Sequence, residues 1–145
     1  MNSCKKAFLL AGTILGIIEA ASMILIAISL FSLIGSMDAE TVAIILEEEA
    51  MFYSNAELVA IADLMNTIFA VMAAYITGMS IAMLVLSIVV LNQRNKGVSK
   101  KGTIIALLVI SILNGNILTA SFMIVALCIK DKTAQEIVEE HMQNN

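Results

Sequence analysis

The chain has 145 residues, 60% of them hydrophobic and 14% charged, with a formal net charge of −4 and no proline or tryptophan. A mean hydropathy of +0.96 lies far above the range of a water-soluble domain, and the residues left over by the apolar segments are too few for a separate catalytic domain. The expected fold class is all-α, a polytopic helical integral membrane protein forming a single membrane domain over 1–145, and the acidic balance argues against nucleic acid as a partner.

The first apolar run, 7–35, exceeds the ~20 residues that cross a ~30 Å hydrocarbon core. Lys5 and Lys6 precede it, so the amino terminus is expected in the cytoplasm. The run is about twice the ~7 to 15 residues of a signal-peptide core and therefore reads as a retained helix. Glu19 is the only Asp, Glu, Lys, Arg or His within the three apolar runs. A carboxylate at that depth is costly, which marks a pathway, a packing contact or a regulated site. With no Lys, Arg or His at membrane depth, burial favours a neutral carboxyl that donates a hydrogen bond between helices, with Thr77, Ser80 or Asn114 as partner. The alternative is a proton or cation site. Gly12, Gly16 and Ala20 form a strip of small residues for helix packing, and Glu19 projects within it.

The segment 36–66 holds Asp38, Glu40, Glu47, Glu48, Glu49, Glu57 and Asp63 without a Lys or Arg, which assigns it to the outside. Between Asp38 and Phe52, apolar Val42, Ile45 and Leu46 alternate with acids as in a short amphipathic helix. Ser54-Asn55-Ala56-Glu57 fits a capping box, opening a helix that starts beyond the bilayer and continues through the second run, 67–91. Together these make a small acidic helical hairpin. Glu47-Glu48-Glu49 lacks the glycine and alternating oxygen ligands of a calcium loop and reads as a solvated helix face. Ala70, Ala74, Gly78 and Ala82 form a second small-residue strip.

The connection 92–102 carries Arg94, Lys96, Lys100 and Lys101 and is assigned to the cytoplasm. The third run, 103–129, is interrupted by Asn114-Gly115-Asn116. One unbroken helix would be ~40 Å long and would send Lys130 and Lys132 outside; a hairpin would return them, with arms of only ~17 to 24 Å. Asn114 and Asn116 lie ~200° apart on an unbroken helix, so both are hard to hide from lipid, whereas a hairpin would put both at the outer interface. Both readings stay open, with the hairpin favoured. Ser111, Gly115 and Thr119 form a third strip. In the polar tail, 130–145, Thr133-Ala134-Gln135-Glu136 fits a second capping box ahead of Ile137, Val138 and His141, and His141 reads as ordinary surface. Cys4 and Cys128 form no disulfide framework or zinc pattern, although Cys4 beside the membrane is a candidate for acylation.

The chain has no Ser/His/Asp set at one depth, no HExxH and no glycine-rich phosphate loop. No enzyme activity, cofactor, metal or small-molecule substrate is therefore expected. The layout of Lys5-Lys6, a glycine-bearing first helix, an acidic outer segment, the basic 92–102 turn, and a last run broken at Asn114-Gly115-Asn116 before Lys130-Asp131-Lys132 resembles that of small four-span membrane proteins of unknown function in Gram-positive bacteria. The resemblance extends from Lys5 to Lys132 in organisation. It implies a multi-pass plasma-membrane protein with the last run folded as a hairpin in a four-helix bundle, and no specific activity. The expected function is a non-enzymatic, membrane-embedded interaction or accessory protein whose partners are the lipid bilayer and either a second copy or another membrane protein. The alternative is an oligomeric ion- or proton-conducting protein, or a holin-like pore, using Glu19 on a packing face.

Overall fold

In the computed structural model, which describes residues 1–130, the chain is helical throughout, with no strand among the described residues. Its elements are α1 (Ser3–Leu33), α2 (Ala39–Leu46), a 3-10 helix (Glu47–Phe52), α3 (Asn55–Asn95), α4 (Lys101–Leu113) and α5 (Ile117–Cys128). The second capping box and His141 lie outside the described residues.

Local chemistry accounts for the helix ends. The Cys4 amide donates to Asn2 Oδ1 at 3.0 Å, capping the start of α1. Asp38 caps α2, accepting from the Thr41 amide at 2.7 Å. Ser54 and Glu57 form a reciprocal capping box. The Ser54 amide and hydroxyl donate to Glu57 Oε2 at 2.7 and 2.8 Å, and the Glu57 amide donates to Ser54 Oγ at 3.4 Å. From there α3 continues for 41 residues, roughly 60 Å, and ends where Gly97 takes φ +71°. That left-handed turn lets the Val98 amide reach back to Gln93 O at 2.9 Å.

The third apolar run is two helices. Gly115 at φ +72° supplies the left-handed residue that ends α4, with the Asn116 amide donating to Ser111 O at 2.8 Å. α4 and α5 then pack on each other as a helical hairpin. An uninterrupted helix over 103–129 is thus ruled out by a backbone conformation that glycine adopts without penalty.

The chain divides into two compact units, one of Met1–Ala20 with the chain from Ile81 onward, the other of Ala21–Ser80. In the first, four helical segments surround a core of Leu9, Ala20, Met83, Val90, Ile104, Leu107, Met123 and Ala126. Their contacts fix an alternating up-and-down order. At the basic end, Arg94 Nε donates to Lys6 O at 3.2 Å and Gln93 Nε2 donates to Thr103 Oγ1 at 3.1 Å. The rings of Phe8 and Phe122 meet at a tilt of 43° with centroids 5.9 Å apart. Lys5 is almost fully buried there, unlike the exposed Lys6 and Lys96.

The second unit holds the rest of α1, the acidic segment and α3 as far as Ser80. Its buried residues are small: Ala27, Val42, Ala62, Ala73 and Ser80. Asn66 ties it together, accepting from the Gly35 amide and donating to Met37 O, both at 2.9 Å. The amphipathic pattern expected for 38–52 is only partly realised, because Val42 is buried while Ile45 is exposed. The cause is the end of α2 at Leu46, where Glu47 takes a positive φ of 47° and turns the chain into the 3-10 helix.

Candidate functional site

Glu19 lies near the midpoint of α1, half-buried. Its carboxyl meets the first turn of α5, where the Thr119 hydroxyl donates to Glu19 Oε2 at 2.6 Å. Thr119 is fully buried. None of the three partners expected from sequence makes this bond. The Thr77 hydroxyl donates to Ala73 O at 2.7 Å and that of Ser80 to Ile76 O at 2.6 Å, the usual back-bond of a hydroxyl within an apolar helix. The Asn114 and Asn116 amides instead reach the sulfur of the buried Met83, at 3.7 and 3.1 Å.

The packing around Glu19 depends on glycine. A Cβ on Gly16 would stand 2.6 Å from Ser87 Oγ, 3.5 Å from Thr119 Cγ2 and 3.6 Å from Met83 Cε; one on Gly12 would strike Met123 Cε and come within 2.9 Å of Phe122 Cβ. Ala20 is fully buried. This face of α1 therefore lies directly on α3 and α5. Ala74 and Gly78 do not share that situation: both are exposed, and a Cβ on Gly78 would meet nothing within 4 Å. The buried seam of α3 in the four-segment unit is Met83, Ser87 and Val90, three and four residues apart as helix packing requires. Ser111 and Thr119 are buried on different helices, and Gly115 is exposed in the turn between them. These three do not form one strip.

Two features of the site carry unmet hydrogen-bonding capacity. Ser87 Oγ is buried without a hydrogen-bond partner, on the patch of α3 that faces Gly16 and Thr119. The amino terminus of α5 has no side-chain cap at Asn116, and of its first-turn amides that of Ile117 donates to Gly115 O at 3.0 Å. Thr119, Ser87 and Met83 were not singled out by sequence reasoning as partners of Glu19. The available signal was the chain break, which starts a helix two residues before Thr119.

Outside the helical bundle, two carboxylates are held below their usual range. Hydrogen bonds from the Thr41 backbone and hydroxyl lower Asp38, and those from the Ser54 backbone and hydroxyl lower Glu57. Among the described residues, no three His, Cys, Asp or Glu side chains gather as a metal site. Comparison with models of protein families, with curated proteins and with solved structures found no match.

Proposed function

We propose that the chain is a membrane-embedded, non-enzymatic interaction or accessory protein of the plasma membrane, with its amino terminus, its basic turn and the end of α5 on the cytoplasmic side. The observation that carries this reading is the inversion of the usual distribution of polarity. Large apolar side chains face outward along both long helices, among them Ile18, Leu25, Ile28, Val71, Ile81 and Val85, while Thr13, Ser80, Ser87, Ser111 and Thr119 are fully buried. Water would penalise such a surface, and lipid accommodates it. α1 and α3, at 31 and 41 residues, are long and apolar enough to cross a membrane.

Charge supports the orientation. Lys6 and Arg94 meet directly, and Lys100 and Lys101 begin α4 at the same end, matching the cytoplasmic excess of basic residues. An interaction role is supported by Met51 and Phe52, 83% and 86% exposed in the acidic segment. Carbonate extraction of membranes expressing the full chain tests the reading: the protein stays in the pellet if it is integral, and release into the supernatant contradicts it.

A further inference from the structure

Resting on the membrane reading, we propose that Ile44, Ile45, Met51 and Phe52, at the tip of the acidic segment, form a docking face for a basic amphipathic segment of another protein on the outer side of the membrane. Met51 and Phe52 are 83% and 86% exposed, more than any other large apolar side chain among the described residues, and Ile44 and Ile45 are 69% and 56% exposed. α2 and the 3-10 helix pack on each other, so these side chains belong to one small helical tip. An open groove of about 360 Å³, lined by Ile45, Leu46, Glu47, Glu48 and Glu49, lies where one helix turns into the other. Apolar side chains clustered at such exposure mark interaction surfaces, and Met and Phe are enriched in them.

Lipid covers the exposed apolar side chains of the spans, but the tip stands clear of it. Gly35 ends the first apolar run, and Asp63 is the last charge before the second. Asn66 holds these two points level, accepting from the Gly35 amide and donating to Met37 O. From Asn66 back to its start at Asn55, α3 rises roughly 16 Å. The polar layer on each side of the hydrocarbon core is only about 5 to 8 Å thick. The Ser54–Glu57 cap joins the end of the 3-10 helix to that start, so Met51 and Phe52 lie beyond the headgroups.

Charge selects among the remaining occupants. Glu47, Glu48 and Glu49 are exposed, and no Lys or Arg lies between 36 and 66 to compensate them. Two copies set tip to tip would press these carboxylates together, and like charges across an interface oppose a symmetric dimer. A basic partner reverses the sign. Its apolar side chains cover Met51, Phe52, Ile44 and Ile45, and its Lys or Arg side chains pair with the glutamates of the groove. Asp38 and Glu57 are already engaged as helix caps, so the pairing falls to Glu47, Glu48 and Glu49.

The test titrates the full-length protein, in phosphatidylcholine nanodiscs, with a dye-labelled amphipathic helical peptide of leucine and lysine, read by fluorescence anisotropy against empty discs. The expected result is binding above that of the empty discs, weakened at least about tenfold by Met51→Ser with Phe52→Ser. Glu47→Gln, Glu48→Gln and Glu49→Gln together should weaken it and flatten its salt dependence. All five positions are exposed, so neither variant empties a core, and circular dichroism checks that the helices persist. Binding no greater than to empty discs, or unchanged in both variants, overturns the proposal, as does equal binding of the same peptide with glutamate in place of lysine. A dimer that Met51→Ser with Phe52→Ser breaks would assign the face to a second copy. The chain has no tryptophan of its own, so quenching of Phe52→Trp emission by brominated lipid would assign the face to the bilayer. Either outcome also overturns the proposal. Carbonate extraction separates the two readings, because a protein that stays in the pellet and fails these tests contradicts only the docking face.

Discussion

The two units solve the same packing problem with different materials. In the four-segment unit, large side chains such as Leu9, Met83, Leu107 and Met123 fill the core, and hydrogen bonds link residues 88 and 100 positions apart. In the unit of residues 21–80, alanines predominate among the buried residues, and the Asn66 amide makes hydrogen bonds to residues 29 and 31 positions away. The difference shows how helix length and polarity divide the work. Where four short segments meet, bulky and polar groups specify position; elsewhere small residues permit close approach and leave specificity to the turn.

Substitutions sharpen this contrast. Met123→Ala should cost about 2 to 5 kcal/mol, because it empties a fully buried site in the larger core; thermal unfolding in detergent measures it. Gly12→Leu forces a branched side chain against Phe122 and should cost about 1 to 3 kcal/mol, whereas Gly78→Ala meets open space and should be neutral or stabilise by up to about 1 kcal/mol. Equal losses from the two glycines would erase the distinction between the faces. Asn66→Ala should cost about 1 to 3 kcal/mol, with faster hydrogen exchange confined to the amides of 34–38. Spread of that effect to α4 and α5 would mean that the units do not open separately.

The smallest effect concerns pH. Asp38 and Glu57 are depressed below their usual 3.8 and 4.5, so the stability they contribute is full above those values and is lost as pH falls through the lower folded values. Circular dichroism and hydrogen exchange should therefore report fraying at the starts of α2 and α3 below about pH 4, while α4 and α5 stay intact. Asp38→Asn and Glu57→Gln should weaken that acid response.

The all-helical class was legible because uninterrupted apolar runs and an absence of proline leave few other options. The Ser54–Glu57 cap was legible for a different reason: its partners are three residues apart, so spacing alone specifies the geometry. Asn66 was not, since it acts on Gly35 and Met37, and nothing in its own neighbourhood announces a partner 29 to 31 residues away. Small-residue spacing was ambiguous on α3, where Ala74-Gly78 and Met83-Ser87-Val90 both satisfy helical periodicity and only packing chooses between them. Glu19 stood out as a lone charge. Its neighbour Thr119 depended on where the last run turned, and that in turn depended on one glycine with a positive φ.

The hairpin is the claim from which the rest follows. With Cys4 and Cys128 replaced by serine, single cysteines at Gly97 and Lys130 in sealed, oriented vesicles should react with a membrane-impermeant maleimide from the same side. Reaction from opposite sides would contradict the account, because it requires α4 and α5 to cross as one span.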